Sequence, residues 1–173
     1  MKNYKCFVIL FFLLFAATAF ANQTLRLDNG KTFVISDDFQ KVDQLSTNII
    51  TTYQNKEQEA FIQTLNFGKK IDLTLEEVEK HRDEIADSFI SGIEGGGGNC
   101  ENLTKVVSQT KSGSPILILN YDVTNPSGLK ICGTTYFLLI NGRMSAVTCA
   151  CQKELLSTYI LEFSKIEAQI YNF

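Results

Sequence analysis

The chain has 173 residues, 45% of them hydrophobic, and a formal net charge of −3. It is long enough for one ordinary domain and too rich in apolar residues to stay disordered over most of its length. The acidic balance argues against nucleic acid as the main partner, because no dense Lys/Arg cluster offsets it; the pair Lys69-Lys70 is isolated and is interpreted as a solvated turn.

The first 21 residues have the features of a signal peptide. Lys2 and Lys5 precede an apolar run from Phe7 to Ala17, and Ala19-Phe20-Ala21 predicts cleavage between Ala21 and Asn22. A retained N-terminal anchor is the alternative, but the run is short for a membrane span and no second apolar stretch follows. We therefore predict a bacterial periplasmic or secreted protein, not stably inserted in a membrane after cleavage. Cleavage removes two lysines and no acid, which leaves 14 basic and 19 acidic residues and a charge of −5.

The predicted mature chain, residues 22–173, begins with strands. Thr24 to Ser36 forms a small β unit with a turn at Asn29-Gly30, and Asp37-Asp38-Phe39 then ends the strand. Asn48 to Tyr53 and Ala60 to Asn66 are two further strands. Alternating polar residues in the second of them indicate a sheet that is covered on one face only.

A helix follows the loop Gly68 to Asp72. Thr74-Leu-Glu-Glu77 is a capping box with acidic residues in the first turn, and apolar residues at helical spacing continue to about Gly92. The run Glu94 to Cys100 contains four consecutive glycines and is interpreted as a flexible surface loop, with a mobile binding lip as the alternative. It does not match a phosphate-binding loop, since no Lys-Ser/Thr follows.

The second half of the chain predicts four strands and a helix. Leu103 to Thr110 and Pro115 to Val123 form a strand pair, and the continuous apolar run Ile116 to Leu119 indicates a central strand covered on both faces. Asn141-Gly142 joins two β-rich runs, a strong hairpin signature. Gln152 to Tyr171 is a helix whose wide apolar stripe must lie on a sheet face.

The predicted order is β-β-β-β-α-β-β-β-β-α, with links short enough for antiparallel pairing, so we expect a single α+β domain: a curved antiparallel sheet with two main helices packed on it. This order, with Gly113-Ser-Pro115 entering the strand that holds Tyr121, resembles the Mog1/PsbP/DcrB-like fold family. Its members are exported or lipid-anchored bacterial proteins, photosystem assembly subunits and small-GTPase partners. These members bind proteins and are mostly not enzymes, so the resemblance implies a protein that binds other proteins, and no catalytic residues carry over from the family.

Four cysteines remain after cleavage, and an even number in an exported chain predicts disulfides. If Asn141-Gly142 is a two-residue loop, Cys132 lies directly opposite Cys151. We therefore predict the bonds Cys132–Cys151 and Cys100–Cys149. The alternative is Cys100–Cys151 with Cys132–Cys149. The strict register places Cys132 and Cys151 at a hydrogen-bonded pair, where the geometry for a disulfide is less favourable, and a one-residue bulge would favour the alternative.

We find no pattern typical of a catalytic, cofactor or metal site. Cys149-Ala-Cys151 lacks the C-x-x-C spacing of redox motifs, and His81, the sole histidine, lies on a predicted helix without a recognisable nucleophile. Zinc would need a fourth ligand beside the thiols. The acidic residues of that helix are interpreted as a solvated face rather than a glycosidase pair.

The sequence favours an exported, non-enzymatic binding or assembly protein that acts through protein–protein contacts, with a partner that the residues do not identify. Two alternatives stay open. One is a thiol-redox protein or other small periplasmic enzyme that uses Cys149 and Cys151. The other is a carrier of a small ligand held between helix and sheet.

Overall fold

The computed structural model describes residues 22–45, 47 and 49–173. The predicted signal peptide, with Ala21, and the predicted strand start at Asn48 lie outside these residues. The described part of the chain forms nine strands and two α-helices, in the order β1 Asn22–Arg26, β2 Thr32–Ser36, β3 Phe39–Lys41, β4 Ile50–Asn55, β5 Ala60–Lys70, α1 Leu75–Gly95, β6 Asn99–Gln109, β7 Pro115–Thr124, β8 Lys130–Ile140, β9 Arg143–Gln152 and α2 Leu156–Tyr171. Two short 3₁₀ helices lie at Asp43–Leu45 and Lys153–Leu155.

The strands form two antiparallel sheets. β1 and β2 form a separate hairpin, and the other seven strands lie in the order β3-β4-β5-β9-β8-β7-β6. With the two helices packed on the large sheet, this confirms the predicted α+β class. Among the described residues, neither helix combines the length and the apolar character that crossing a lipid bilayer requires.

The hairpin of β8 and β9 has the predicted register. Asn141 and Gly142 both have positive φ, 56° and 67°, as the tight two-residue turn demands. Ile140 therefore pairs with Arg143, and the same register places Cys132 opposite Cys151. The register is fixed by the turn and by the buried face of each strand, because a slip by one residue would move every apolar side chain to the opposite face.

Helix α1 begins as predicted. Thr74 Oγ1 accepts a hydrogen bond from the Glu77 amide at 3.2 Å, and the Glu77 carboxylate accepts one from the Thr74 amide at 2.7 Å. These bonds to Thr74 hold the pKa of Glu77 below its usual value. The helix ends later than predicted, at Gly95, and β6 begins at Asn99. Cys100 therefore lies within a strand rather than on a flexible loop.

Two other boundaries differ from the sequence prediction. After the Asp37-Asp38 turn the chain enters a third strand, β3, which pairs with β4. β5 extends through Gly68 to Lys70, with irregular pairing between Asn66 and Lys70, where a loop was predicted. Both are short pairings at strand ends, and tertiary neighbours stabilise them against the local preference of Asp and Gly for turns.

Strand β7 separates two apolar cores. Its residues Ile116 to Leu119 are at most 6% exposed, which confirms the predicted burial on both faces. Ile116 and Ile118 belong to the core beneath α2, while Leu117 and Leu119 belong to the core beneath α1. The alternation of side chains along a strand thus assigns each position to one helix.

Helix α2 covers the free edge of the N-terminal hairpin. The Gln169 amide oxygen accepts from the Val34 N–H at 2.7 Å, and its NH₂ donates to the Val34 carbonyl at 2.9 Å. The Glu162 carboxylate accepts from the Ser36 N–H at 2.8 Å. These side chains take the place of a further strand and satisfy the edge of β2, which would otherwise be open to pairing with another chain.

Candidate functional site

The two helices pack on opposite faces of the large sheet. α1 packs on β6 and β7, whereas α2 packs on β9 and on β2 of the N-terminal hairpin. Since a helix with its side chains is about 10–12 Å wide and strands are about 4.8 Å apart, one helix covers only two or three strands. Each face of the seven-stranded sheet therefore keeps an uncovered region beside its helix.

The region beside α1 is an apolar groove of about 630 Å³, which we call the α1 groove. Some of the lining side chains come from the sheet and from the loop that precedes α1, and the others come from α1 itself. The lining residues are Leu65, Phe67, Leu73, His81, Glu84, Ile85, Ser88, Phe89, Gly92, Phe137 and Met144. The volume and apolar character are typical of binding clefts.

A row of apolar residues crosses the sheet beneath the α1 groove, and two of them, Phe137 and Leu65, line the groove. Phe137 pairs with Ala146, Ala146 with Leu65, and Leu65 with Ile50, so these four side chains share one face of β8, β9, β5 and β4. Leu117 extends the row onto β7, where α1 covers it. The row therefore continues an interior core into the open groove.

Aromatic rings hold the helix side of the α1 groove against its floor. The Phe89 ring lies 5.8 Å from Phe137 at nearly right angles and 5.2 Å from Tyr121, and Phe67 lies 6.2 Å from Phe137. Such edge and tilted contacts stabilise a fixed arrangement of rings. Phe67 and Phe89 are half-buried, so both offer part of a ring to an occupant.

Tyr121 is fixed from below. A Cβ atom added at Gly133 would lie 2.8 Å from its ring, so the glycine makes room for the tyrosine. The Tyr121 hydroxyl is hydrogen-bonded to Thr135 Oγ1 at 3.1 Å, and Thr135 Oγ1 to Thr148 Oγ1 at 2.8 Å. Burial raises the pKa of Tyr121 to about 12.

The polar rim of the α1 groove consists of His81, Glu84 and Ser88 on the helix. His81 Nδ1 lies 3.1 Å from the Glu84 carboxylate, and both side chains are exposed to solvent. His81 lies beside an apolar groove, while Cys132, Cys149 and Cys151 lie in the core on the other face of the sheet. No group of His, Cys, Asp or Glu side chains within the described residues is arranged to hold a metal ion.

The region beside α2 is a smaller groove of about 280 Å³, the α2 groove, with an apolar wall of Leu156, Ile160 and Phe163. Its floor is polar. Asn120 donates to Thr104 Oγ1 at 3.2 Å and accepts from Thr134 Oγ1 at 2.8 Å. These polar groups satisfy one another across three strands, so this face presents few free hydrogen-bonding groups to a ligand.

An ion pair closes one end of the α2 groove. The Asp122 carboxylate accepts hydrogen bonds from Lys153 Nζ at 2.6 Å and from Asn102 Nδ2 at 2.7 Å. These two hydrogen bonds hold the pKa of Asp122 below its usual value, and the bond from Lys153 has the larger effect. Asp122 is therefore ionised and already paired within the chain.

The structure brings together one of the predicted cysteine pairs. The Sγ atoms of Cys132 and Cys151 lie 3.7 Å apart in directly opposed positions, and all four described cysteines are free thiols. Cys149 belongs to the core beneath α2, whereas Cys100 packs against the core beneath α1. The sheet lies between these last two, so they are not brought together.

Burial makes the thiols poor nucleophiles. It raises the pKa of Cys149 far above its ordinary value, and nearby Glu162 adds to the effect. Burial, followed by the neighbouring Cys132, raises the pKa of Cys151. Since the thiolate is the reactive form, Cys149 and Cys151 do not have the lowered pKa that dithiol redox proteins use.

No protein-family model matches the sequence, and no curated protein matches it. The structure is similar to the solution structure of cyanobacterial PsbP (CyanoP) from Synechocystis sp. PCC 6803. The TM-score is 0.68 over 88% of this chain and 93% of that one, at 11% sequence identity. The chain has a PsbP-like fold. This confirms the predicted PsbP/Mog1/DcrB-like architecture, and at such low identity the likeness is one of fold alone.

A second similar structure is that of PA94 from Pseudomonas aeruginosa, a protein of unknown function. It is 13% identical over 86% of this chain and 94% of that one, with a TM-score of 0.46.

Sequence reasoning did not find the α1 groove. Phe137 is part of the core beneath α1, and Phe67 and Phe89 pack against it. A helical stripe shows that one side of α1 is buried, but it does not show which strands that side covers. The uncovered floor follows only from the position of α1 over β6 and β7.

Proposed function

We propose that this chain is an exported, non-enzymatic binding or assembly protein that recognises another protein through the α1 groove. The observation that carries the proposal is the apolar floor left open beside α1. Exposed apolar clefts of this kind on soluble domains mark interaction sites, because leaving them in water costs free energy that a partner recovers. The PsbP-like fold is compatible with this role without specifying it.

The proposed location is the bacterial periplasm or the extracellular space, with residues 1–21 removed before Asn22. In an oxidising compartment, Cys132 and Cys151 would form the predicted disulfide between β8 and β9, with the sulfurs moving closer by side-chain rotation. The predicted Cys100–Cys149 bond would require these two thiols to leave the opposite faces of the sheet on which they lie. Thiol mapping of the exported protein tests both predicted bonds. Fractionation of the producing cells and N-terminal sequencing test the export and the cleavage site.

The test of the binding surface compares two matched substitutions in residues 22–173. Met144→Gln makes the α1 groove polar, and Ile160→Gln does the same to the wall of the α2 groove. Each variant is immobilised, exposed to periplasmic extract of the producing bacterium and analysed by quantitative mass spectrometry. Equal melting temperatures show that both variants fold.

We expect the wild type and Ile160→Gln to retain the same protein partner and Met144→Gln to lose most of it. Removal of a buried thioether contact from an interface costs about 1–2 kcal/mol, or about a five- to thirtyfold loss of affinity. A partner retained equally by Met144→Gln, or lost only by Ile160→Gln, would refute the proposed surface.

A further inference from the structure

The strands under the α1 groove restrict the shape of its occupant. β8, β9 and β5 each have a hydrogen-bonded neighbour on both sides in the large sheet. Their backbone N–H and C=O groups are therefore already used, so an extended peptide cannot add to the sheet here as it would at an open edge. The groove holds its occupant through side chains alone, and the occupant must satisfy its own backbone.

An α-helix meets that requirement and fits the available width. The row from Phe137 to Ile50 crosses four strands, about 14 Å at the usual strand spacing. Packed helices lie about 8–10 Å apart, so a second helix beside α1 would lie over this row.

The negative charge of α1 favours positively charged residues on the side of the occupant that faces this helix. α1 holds seven acidic and two basic residues. Residues 22–173 hold 19 acidic and 14 basic residues, so the part of this span outside α1 has equal numbers of each and is neutral. The acidic residues are Glu76, Glu77, Glu79, Asp83, Glu84, Asp87 and Glu94. The net charge of the predicted mature chain is thus concentrated on the helix that borders the groove.

At the groove itself the charge is also negative. Within the described part of the chain, the lining includes Glu84 and no Lys or Arg. Asp83 is paired with Lys105 at 2.7 Å and Glu79 with Arg82, whereas Glu84 lies 3.1 Å from His81 Nδ1 and has no Lys or Arg partner within the described residues. Glu84 is therefore available to a Lys or Arg of an occupant.

We propose that the α1 groove binds an amphipathic helix of a partner protein, with its apolar stripe on Phe67, Phe137 and Met144 and with Lys or Arg residues along the side that faces Glu84. This proposal rests on the proposed function and adds the shape and charge of the partner segment. It predicts that a helix alone, without the rest of the partner, is recognised.

Three synthetic peptides test it. The first has apolar residues at helical i, i+3, i+4, i+7 spacing and lysines on the flanks of the stripe. The second replaces each lysine by glutamate, and the third keeps the lysines but has two central residues changed to proline. Binding to residues 22–173 is measured by fluorescence anisotropy in about 50 and about 300 mM NaCl, and NMR amide shifts locate the site.

The lysine helix should shift the amides of Phe67, Phe137 and Met144. The glutamate peptide should bind at least about fivefold more weakly, and the proline peptide at least about tenfold, because proline breaks the helix. Glu84→Gln should weaken the lysine peptide about two- to fivefold in low salt and less in high salt.

The matched control is Glu94→Gln. Glu94 is exposed and lies nine residues after Ile85, which places it on the opposite side of the helix from the groove. It removes the same charge from α1 and should leave peptide affinity unchanged within about 1.5-fold, since a distant exposed charge is screened.

The inference would be overturned if the glutamate peptide or the proline peptide bound as tightly as the lysine peptide. It would also be overturned if Glu84→Gln and Glu94→Gln had equal effects, or if no peptide bound in the groove. The proposed function is decided separately, by whether Met144→Gln loses the natural protein partner. A partner that needs Met144 but shows no preference for basic helices would leave the function standing and reject only this inference.

Discussion

Oxidation of Cys132 and Cys151 should stabilise the protein by an amount that can be worked out from the hairpin. A bond between them closes a loop of about 20 residues, which in the chain-entropy account lowers the entropy of the unfolded chain by about 11 cal/mol/K, or about 3 kcal/mol at 25 °C. For a chain of this size each kcal/mol shifts the melting temperature by about 2–4 °C. The oxidised protein should melt about 6–12 °C above the reduced one.

The assay combines thermal unfolding with thiol mapping. Protein produced by export is alkylated without reduction, digested and analysed by mass spectrometry, and its melting temperature is measured with and without a reductant. Cys132→Ser should remove the part of the response to the reductant that comes from the β8–β9 bond. Cys100→Ser serves as the control that retains the β8–β9 pair.

Two results would refute this reasoning. Cys132 and Cys151 could both be alkylated in the exported protein, which would show that directly opposed strand positions do not suffice for the bond here. Alternatively, the bond could form without raising the melting temperature by more than about 2 °C, which would mean that strain at a hydrogen-bonded strand pair offsets the loop term.

Three further predictions concern the contacts that hold the fold. Gln169→Glu keeps an acceptor for the Val34 N–H but places a carboxylate against the Val34 carbonyl. It should lower the free energy of unfolding in urea by about 1–2 kcal/mol and accelerate exchange of the Val34 amide. Unchanged exchange would refute the edge contact. Gly133→Ala should destabilise the protein by at least about 2 kcal/mol because the new Cβ meets the Tyr121 ring. In the double variant with Tyr121→Ala, the two losses of unfolding free energy should not be additive, and strict additivity would contradict the contact. Tyr121 is neutral in both states below its ordinary pKa of 10.0, but between pH 10 and about 12 the unfolded chain loses a proton that the folded state keeps, so stability falls through this window. The stability advantage of the wild type over Tyr121→Phe should thus shrink by about 1 kcal/mol between about pH 8 and about pH 11, and an equal advantage at both would argue against the raised pKa.

The features predicted correctly are those fixed by local chemistry. Asn141-Gly142 specifies a tight turn, and the turn then sets the pairing of every residue in β8 and β9, including Cys132 with Cys151. Thr74 and Glu77 specify the start of α1 in the same way, because the two side chains satisfy backbone groups within four residues.

The features missed depend on distant partners. Phe39 enters a strand because β4 is beside it, although the preceding Asp37-Asp38 indicates a turn. Cys100 lies in a strand because it pairs with Val123 of β7, although four glycines precede β6. The α1 groove is the largest omission, since a row such as Phe137, Ala146, Leu65 is visible only once the strand order β5-β9-β8 is known.

Site-specific photo-crosslinking tests the α1 groove as the binding surface most directly. A photoreactive phenylalanine analogue replaces Phe67 in the α1 groove or, as a matched aromatic control, Phe163 in the α2 groove, and the producing cells are irradiated. Mass spectrometry identifies each adduct and the segment that carries it. Adducts at Phe67 to one protein, mapped to a helix with an apolar stripe and flanking Lys or Arg, are the predicted result. Adducts at Phe163 alone, or equally at both positions, would contradict the account.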